Sequence, residues 1–325
     1  MYKGNTIGVV VPAYNEAGFV GEVIDTMPAF VDRVYVVDDA STDGTWAEIR
    51  RHAARANSGD GTKSGEREAV TTDGSGPVVV TVRHETNRGV GGAIKTGYLR
   101  AREDDLDVVT VMGGDGQMDP DLVDAVLEPV VDGVADYAKG NRLVGPATSA
   151  EMPRFRYVGN RLLSYLTKVA SGYWSIGDPQ NGYTAISGAA LADVPIERMY
   201  EYYGYCNHLL VLLSADGYRV ADVPMPASYG EEESHIAYHE YIPRVSWMLL
   251  RSFLWRVATA GSRLTQGGYF GGLLAGIVSV YGLLAGEMDL AGIGLVLTAL
   301  LVVVGLAADR MDDASGGFRV DGSPE

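Results

Sequence analysis

The first half of the chain alternates apolar runs with amphipathic stretches. Four runs rich in β-branched residues are apolar on both faces: TIGVVVPAY (6–14), RVYVVDDA (33–40), PVVVTVRH (77–84) and DVVTVMGG (107–114). Four stretches with helical periodicity alternate with them, at 16–30, 45–56, 91–102 and 120–131. Strands that are apolar on both faces are typical of a parallel sheet buried between helix layers. The pattern therefore predicts a doubly wound α/β sheet.

Two polar stretches fall outside this alternation. Residues 57–77 are rich in Gly, Ser, Thr and charged residues and fit neither a helix nor a strand. Such a composition is typical of a mobile surface insertion, and we assign it no chemistry. The C-terminal residues 309–325 are also predicted to be a disordered tail.

Two long uncharged runs, at 264–286 and 290–308, are predicted to cross a membrane. At about 1.5 Å per helical residue they measure roughly 35 and 28 Å, and the hydrocarbon core of a bilayer is about 30 Å thick. The residues EMD between them permit only a tight hairpin, so both ends lie on one side of the bilayer. A buried helical hairpin in a soluble protein is the alternative.

Arginines flank this hairpin on one side only. Arg251, Arg256 and Arg263 precede the first span, Arg310 follows the second, and the turn has none. The positive-inside rule then predicts that the large N-terminal domain and both termini are cytoplasmic. The sequence GLLAG occurs twice in the first span, and this spacing of small residues allows close helix packing.

The segment at 229–263 connects the N-terminal domain to the hairpin. From His239 to Ala260 it combines aromatic residues with arginines, which suits an amphipathic helix in the headgroup layer of a membrane. Packing of this helix against the N-terminal domain is the alternative.

Charge and cysteine content narrow the functional classes. The chain has 26 Lys and Arg against 42 Asp and Glu, a net charge of -16, which argues against a nucleic-acid-binding protein. An acidic surface suits a prokaryote with a salt-rich cytoplasm. The single cysteine, Cys206, cannot form an intramolecular disulfide or a metal site by itself, so we expect a reducing interior. No signal peptide is expected, because no basic region followed by an apolar run is found at the N-terminus.

Polar motifs directly follow three of the predicted strands: PAYNE (12–16), DDASTDGT (38–45) and GGDGQMD (113–119). Open α/β sheets bind ligands at the carboxyl ends of their strands, so these loops are expected to form one crevice. The adjacent pair Asp38 and Asp39 is notable, because side chains alternate across a strand and a carboxylate at the end of a buried strand needs a partner.

Together with NRGVGGAIKTGY (87–98), these motifs resemble the inverting family 2 glycosyltransferases, which have a GT-A fold, in order and in spacing. KGNRL (139–143), RFRYVGNRLLS (154–164) and GDPQNGYTAIS (177–187) further resemble the polyprenyl- and dolichyl-phosphate branch, relatives of dolichyl-phosphate mannose synthase. The resemblance implies a GT-A glycosyltransferase catalytic domain at 1–228 with a mostly parallel sheet.

The resemblance also implies a donor site for a nucleoside diphosphate sugar. Asp39 would accept a hydrogen bond from the base, with Asp38 behind it. The residues implied for nucleotide-sugar binding are Pro12, Ala13, Tyr14, Glu16, Asp38, Asp39, Gly114 and Asp115.

The metal motif departs from the family pattern. Where the family has Asp-x-Asp, this chain has Gly113, Gly114 and Asp115, so the first carboxylate is missing. Gln117 stands where this branch places an oxygen ligand. The resemblance implies that Asp115 and Gln117 hold Mg²⁺ or Mn²⁺ together with the diphosphate and several waters, with lower affinity than two carboxylates would give.

In this branch the attacking group is a phosphate monoester that is already ionised near neutrality, so no strong base is required. Arg142 and Arg161, each within a GNRL sequence, would hold its oxygens, with Arg154 and Arg156 nearby. Asp178 would lie across the acceptor and would serve as the base if the acceptor were a hydroxyl.

The sequence therefore predicts an integral membrane hexosyltransferase that makes a polyprenyl-phosphate (dolichyl-phosphate) sugar at the cytoplasmic face of the cell membrane. Two alternatives stay open: transfer to a hydroxyl of a lipid-linked oligosaccharide or glycan, and an inactive scaffold that binds nucleotide sugars, suggested by Gly113. The expected partners are the nucleotide sugar, the lipid acceptor and membrane lipids, not nucleic acid. A homo-oligomer is left open.

Overall fold

The structure is a computed structural model that describes residues 1–58, 78–143, 154–225, 238–312 and 317–320. Most of the predicted insertion at 57–77 lies outside the described residues. Its first residue, Asn57, ends a helix, and its side-chain amide bonds the backbone N–H and carbonyl of Val79 across the gap.

The described residues contain eight strands in one sheet and ten α-helices. The strands are β1 (Ile7–Ala13), β2 (Arg33–Asp38), β3 (Val78–Arg83), β4 (Val108–Val111), β5 (Tyr137–Asn141), β6 (Thr184–Ser187), β7 (Val220–Pro224) and β8 (Gly317–Arg319). The helices are α1 (Val20–Asp25), α2 (Thr45–Asn57), α3 (Val90–Glu103), α4 (Val123–Val131), α5 (Arg154–Ser171), α6 (Gly188–Asp193), α7 (Tyr205–Ala215), α8 (Tyr238–Ala260), α9 (Arg263–Ala285) and α10 (Met288–Asp312).

The sheet has the strand order β3-β2-β1-β4-β6-β5-β7-β8. Only β6 is antiparallel to its neighbours, β4 and β5, and the other pairs are parallel. Side chains alternate across the buried strands: Val9 and Val11 pack with α1, α2 and α4, whereas Val10 packs with α3, α6 and α7. The predicted doubly wound, mostly parallel GT-A-like sheet is confirmed.

The first helix is shorter than predicted, because residues 15–19 form a loop. Asn15 has a positive φ of 58°. Three backbone N–H groups, from this loop and from the start of α1, donate to side chains of α2. Glu16 N donates to Thr45 Oγ1, and Gly18 N and Gly21 N donate to the carboxylate of Glu48. The side chains thus cap α1 from outside and hold the loop at the end of β1.

Helix α8 packs against the catalytic domain on one face and exposes apolar residues on another. Val245, Met248 and Leu249 are buried in a cluster with residues of α5 and α7. Trp247, which is 62% exposed, lies on another face with exposed leucines. The packing alternative therefore describes the first face, and the exposed face keeps the amphipathic character that the sequence predicts.

Helices α9 and α10 form the predicted hairpin and are long and apolar enough to cross a membrane. They pack through small residues: a Cβ on Gly268 would lie 2.4 Å from the backbone of Gly305, and one on Gly294 would meet Ser279. In the most apolar 18-residue stretch of each helix, only 17% of the residues are buried. A hairpin in the core of a soluble protein would bury most of these side chains, so the exposure argues against that alternative.

The prediction of a disordered tail at 309–325 is wrong for the described residues. Helix α10 continues to Asp312, and Gly317–Arg319 pairs with β7 as a parallel edge strand. Phe318 and Val320 pack against the sheet core, because alternate apolar residues suit a strand with one buried face. The remaining tail residues lie outside the described ones.

A buried ion pair fixes the base of the hairpin to the catalytic domain. Arg256 donates to both carboxylate oxygens of Asp309 at 2.8 and 3.0 Å, and to the carbonyls of Val169 and Ala170 at the end of α5. One arginine therefore joins α5, α8 and α10, and its charge is not available on the surface flanking the spans.

Candidate active site

The predicted motifs meet at one edge of the sheet. Strands β1, β2, β4 and β5 run in the same direction, so their carboxyl ends lie at the same edge. Tyr14 follows β1, Asp39 follows β2, Asp115 follows β4, and Arg142 follows β5. The fold therefore brings all four predicted segments to one edge of the sheet, where the sequence predicts a crevice.

The first two loops are held together by hydrogen bonds. Asn15 N donates to Ser41 Oγ at 2.9 Å, and Thr42 N donates to Asn15 Oδ1 at 2.9 Å. Gly114 N then donates to Pro12 O at 3.1 Å, which attaches the third loop to β1. Tyr14 is left 46% exposed beside these bonds, so its ring is available to a ligand.

Asp38 and Asp39 are both buried but have separate partners, as the alternation of side chains requires. Arg83 Nε lies 3.0 Å from Asp38 Oδ2, and Ser41 N donates to Asp38 Oδ1. Arg88 N donates to Asp39 Oδ1 at 2.9 Å. The first carboxylate therefore supports its own loop, while the second joins the loop that begins α3.

His84 is a functional candidate that the sequence analysis missed. Its Nδ1 lies 2.6 Å from Asp39 Oδ1 and its Nε2 lies 2.9 Å from Thr96 Oγ1. The other oxygen of Asp39, Oδ2, is buried and accepts no hydrogen bond from the described residues. A signal was present in the sequence, since His84 directly follows β3 and so lies at the ligand-binding edge.

The loop after β4 presents Asp115 to the crevice. Its Oδ1 accepts a hydrogen bond from Gln117 N at 3.1 Å. A Cβ on Gly114 would lie 2.8 Å from Pro12 O, so only glycine permits this close approach to β1. A Cβ on Gly113 would point toward Asp115, 2.7 Å from Oδ1, so position 113 faces the same space as the remaining carboxylate.

A divalent cation fits these donors only with help from a ligand. No group of three His, Cys, Asp or Glu side chains that could hold a metal occurs among the described residues. Asp115 and Gln117 offer oxygen atoms, and Mg²⁺ is commonly bound by one or two carboxylates together with substrate phosphates and waters. The donor set is therefore suited to a metal that arrives with a diphosphate.

Tyr203 lies near the same space. Burial raises the pKa of its hydroxyl, and the charges of Glu16 and Asp115 raise it further. The ring is nevertheless 55% exposed. Tyr203 therefore lies close enough to Glu16 and Asp115 to feel both charges, and its hydroxyl is neutral near pH 7.

The loop after β5 carries a cation at the same edge of the sheet. Arg142 Nε donates to Asp178 Oδ2 at 2.9 Å, and the Arg142 backbone N–H donates to the same oxygen at 3.3 Å. Asp178 is 3% exposed, whereas the Arg142 side chain is 37% exposed. Asp178 therefore orients the arginine, and the arginine stays partly exposed at this edge of the sheet.

The environment keeps Asp178 ionised. Burial opposes its ionisation, but the charges of Arg142 and Lys139 outweigh burial, so the pKa of the carboxyl lies below its usual range. Lys139 is fully buried in β5, where burial lowers its pKa and its ammonium donates to the carbonyl of Asp178. A charged residue within the buried run YAKGN was a sequence signal for this site.

Arg161 lies on α5 with an exposed side chain. The side chains of Arg154 and Arg156, at the start of the same helix, lie outside the described residues. The structure therefore brings Arg142 and Asp178 together, and the contribution of the three α5 arginines stays a prediction.

Comparisons with known proteins identify the family of the chain. The model of glycosyl transferase family 2 matches residues 8–194, more than half of the chain. A UDP-N-acetylglucosamine–dolichyl-phosphate N-acetylglucosaminyltransferase of Methanococcus voltae is 28% identical over 226 residues, 69% of this chain and 86% of that protein. An undecaprenyl-phosphate mannosyltransferase of Micrococcus luteus is 26% identical over 223 residues, 66% of this chain and 81% of that protein.

Solved structures share the fold. Glucosyl-3-phosphoglycerate synthase from Mycobacterium tuberculosis, in complex with Mn²⁺, UDP and glucosyl-3-phosphoglycerate, aligns with a TM-score of 0.53 at 19% identity, over 78% of this chain and 80% of that one. A structure of the same enzyme with Mg²⁺ and UDP aligns with a TM-score of 0.52 at 19% identity, over 78% of this chain and 79% of that one.

Proposed function

Because the chain belongs to glycosyl transferase family 2, we propose that it transfers a sugar, with inversion, from a nucleoside diphosphate to a polyprenyl phosphate at a membrane surface. Its activity as a nucleotide-sugar-dependent glycosyltransferase follows from the family and from its relatives. The observation that supports the finer proposal is a partly exposed arginine at the same edge of the sheet as the metal loop: Arg142 follows β5, and its pair with Asp178 orients it.

At the donor end, Asp39 supports recognition of the base. Its buried Oδ2 has no donor among the described residues, and a base N–H could supply one. His84 and Arg88 N hold the other oxygen and so fix the direction in which the free one points. Tyr14 and Glu16 border the same crevice and would line the ribose.

Asp115 and Gln117 would hold the Mg²⁺ or Mn²⁺. When bound, the cation supplies positive charge that stabilises the leaving diphosphate. Gly113 leaves room beside Asp115 for the diphosphate, because it carries no side chain there.

At the acceptor end, a dianionic phosphate needs positive charge and no general base. One of its oxygens forms the bond to the anomeric carbon as the bond to the diphosphate breaks, and no proton has to be removed. Arg142 would orient the phosphate through charged hydrogen bonds. Asp178 is poorly suited to be a base for a hydroxyl, because its pKa is lowered and Arg142 occupies its carboxylate.

An apolar groove supports a lipid acceptor. It has a volume of about 870 Å³ and lies between α5, α8 and the hairpin. Its lining includes Tyr165, Val169, Leu254, Tyr269 and Leu273. Tyr165 lies one helical turn after Arg161 on α5, so a lipid chain in the groove could carry its phosphate toward this arginine.

The relatives named above favour the same acceptor class. One is named for dolichyl phosphate and the other for undecaprenyl phosphate, and each matches at least two thirds of its own length. Their donors differ, N-acetylglucosamine and mannose, so the sugar transferred by this chain is left open. The cytoplasmic location of the crevice is part of the proposal and is supported by Arg251, Arg263 and Arg310 on one side of the hairpin.

Membranes that contain the protein should be incubated with polyprenyl phosphate and a panel of nucleotide sugars, and the lipid fraction should be analysed by mass. We expect one sugar to add to the lipid phosphate in the presence of Mg²⁺ or Mn²⁺. Membranes with Asp115→Ala serve as the matched control. Sugar incorporated only into hydroxyl-bearing glycans, with the lipid phosphate unchanged, would contradict the proposal.

A further inference from the structure

A cleft lined by cationic side chains lies on a different face of α8 from the apolar groove. It has a volume of about 510 Å³ and shares no lining residue with the groove. Three arginines line it: Arg198 from the turn before α7, and Arg244 and Arg251 from α8. Trp247 and Trp255 form its aromatic walls. We refer to it as the arginine cleft.

The two carboxylates that flank Arg198 in the sequence have other partners. Glu197 pairs with Arg102, and Glu201 pairs with Arg88 and Lys95. Among the described residues, Arg198 and Arg251 form no ion pair with a carboxylate, although Arg198 stacks over the ring of Trp255 at 4.9 Å. In a chain with a net charge of -16, two arginines of one cleft without a carboxylate partner are a local exception, and their charge favours an anion there.

His208 adds a neutral donor to the arginine cleft. Its Nδ1 accepts a hydrogen bond from Tyr200 N at 3.2 Å, so the proton of the neutral ring is on Nε2. Burial, followed by the charges of Arg198 and Lys95, lowers the pKa of His208 to about 4. The ring is therefore neutral at physiological pH, and its Nε2–H makes no hydrogen bond within the described part of the chain.

The exposed face of α8 indicates where this anion comes from. Trp247, Leu250 and Leu254 form an exposed apolar stripe, and Arg244 and Arg251 lie next to it on the helix surface. Apolar side chains beside arginines are typical of a helix that lies in the interface of a bilayer, with the arginines at the level of the lipid phosphates. The first membrane-spanning candidate follows α8 directly.

We propose that the arginine cleft binds the phosphate of an anionic membrane phospholipid, which holds α8 and the catalytic domain against the bilayer surface. The guanidinium groups of Arg198 and Arg251 can donate to the two non-bridging oxygens of a phosphate diester, and the tryptophan rings suit the boundary between the headgroup and the acyl chains. This site is separate from Arg142, Arg161 and Asp178, and the inference does not depend on which acceptor the enzyme uses.

The test is native mass spectrometry of the full-length protein purified in detergent. Phosphatidylglycerol, phosphatidylcholine, inorganic phosphate and undecaprenyl phosphate are added in turn, and each bound species is identified by its mass. We expect one phosphatidylglycerol to be retained per chain and phosphatidylcholine to be retained about tenfold less. The reason is that the choline of phosphatidylcholine carries a positive charge, which offsets the negative charge of its phosphate and is repelled by the arginines.

Arg198→Gln and Arg251→Gln should each weaken retention of phosphatidylglycerol about tenfold or more. Arg263→Gln is the matched control: it removes the same charge from an exposed arginine near the membrane but outside the cleft, and retention should not change. An unchanged melting temperature for all three variants excludes unfolding as the cause.

Three results would overturn the proposal. Equal retention of the two phospholipids, or retention that Arg198→Gln and Arg251→Gln leave unchanged, would show that the arginine cleft does not select an anionic headgroup. Inorganic phosphate retained in place of the lipid would assign the cleft to the free ion. Undecaprenyl phosphate that displaces phosphatidylglycerol, and is lost in Arg251→Gln but not in Arg142→Ala, would assign it to the acceptor.

Discussion

The two ends of the proposed site carry opposite charge and are built differently. At the donor end, Asp39 and Asp115 present carboxylate oxygens, and hydrogen bonds from His84 and the backbone of Arg88 hold Asp39 in place. At the acceptor end, Arg142 is the group that reaches the crevice, and a buried carboxylate holds it from behind. The difference indicates that one end is prepared for a base N–H and a cation, and the other for an anion.

Two arginine–aspartate ion pairs also have different roles in two parts of the molecule. The ion pair of Arg142 and Asp178 leaves the arginine 37% exposed, whereas Arg256 and Asp309 are 6% and 2% exposed. Arg256 also donates to backbone carbonyls of α5, so it joins helices and has no exposed donor for a ligand. A partly exposed arginine whose orientation is fixed by a buried carboxylate is therefore the better candidate for binding substrate.

The largest effect should come from the donor end. Asp115→Ala removes the only carboxylate left in the metal motif at 113–115, and loss of the metal contribution should lower transfer about a thousandfold or more. Asp124→Ala, which removes an exposed carboxylate from α4, is the control and should leave transfer near the wild-type rate. Asp115→Ala protein that keeps its activity in the presence of a chelator would contradict the assignment.

Asp39→Asn should selectively weaken binding of the nucleotide sugar. The change removes the charge and replaces one accepting oxygen by a donor, so KM for the nucleotide sugar should rise about ten- to a hundredfold while KM for the acceptor stays unchanged. Steady-state kinetics with each substrate varied in turn measures both constants. If only the acceptor KM rises, the division of the crevice into these two ends is wrong.

The pH profile should report the acceptor and not Asp178. Because the folded-state pKa of Asp178 is lowered, the stabilisation from its pair with Arg142 is present above the unfolded pKa, about 3.9, and is lost as pH falls through the folded value. Between pH 5 and 8 we therefore expect the transfer rate to rise once, with a midpoint at about pH 6, because the acceptor phosphate loses its second proton there. Below that midpoint the rate should fall about tenfold for each pH unit. A profile that is flat across this range would favour a hydroxyl acceptor.

The smallest effect should come from restoring the family motif. Gly113→Asp places a second carboxylate in the space that Asp115 faces, so Mn²⁺ should bind about fivefold more tightly in the presence of the nucleoside diphosphate. Isothermal titration calorimetry measures this affinity, and Gly116→Ala, in the same loop but with open space around it, is a control for backbone strain, since its φ is 71°. An unchanged affinity would mean that position 113 does not face the metal.

Local patterns in the sequence were sufficient for most of the catalytic fold. The four β-branched runs became β1 to β4, and the two uncharged runs became α9 and α10, because burial on both faces and uninterrupted apolar length are recorded in consecutive residues. The strand β8 was missed, because three residues in a polar tail carry little periodic signal and form a strand only against the edge of β7.

The candidate site was predicted in part. Asp39, Asp115, Arg142 and Asp178 were found from motifs, whereas His84 was not, because its contact with Asp39 joins residues that are 45 positions apart. The arginine cleft was missed for a similar physical reason. Its cations come from a turn before α7 and from α8, and no pattern within either segment indicates that the other packs beside it.

The most direct test of the account compares Arg142→Ala, Arg161→Ala and Asp178→Asn with polyprenyl phosphate as the acceptor. If a phosphate monoester attacks, each arginine variant should raise the acceptor KM about ten- to a hundredfold, and Asp178→Asn should have a smaller effect through the orientation of Arg142. If Asp178 is a general base for a hydroxyl, Asp178→Asn should instead lower the rate about a hundred- to ten-thousandfold. Asp178→Asn far below both arginine variants, with lipid phosphate not consumed, would contradict the polyprenyl-phosphate account.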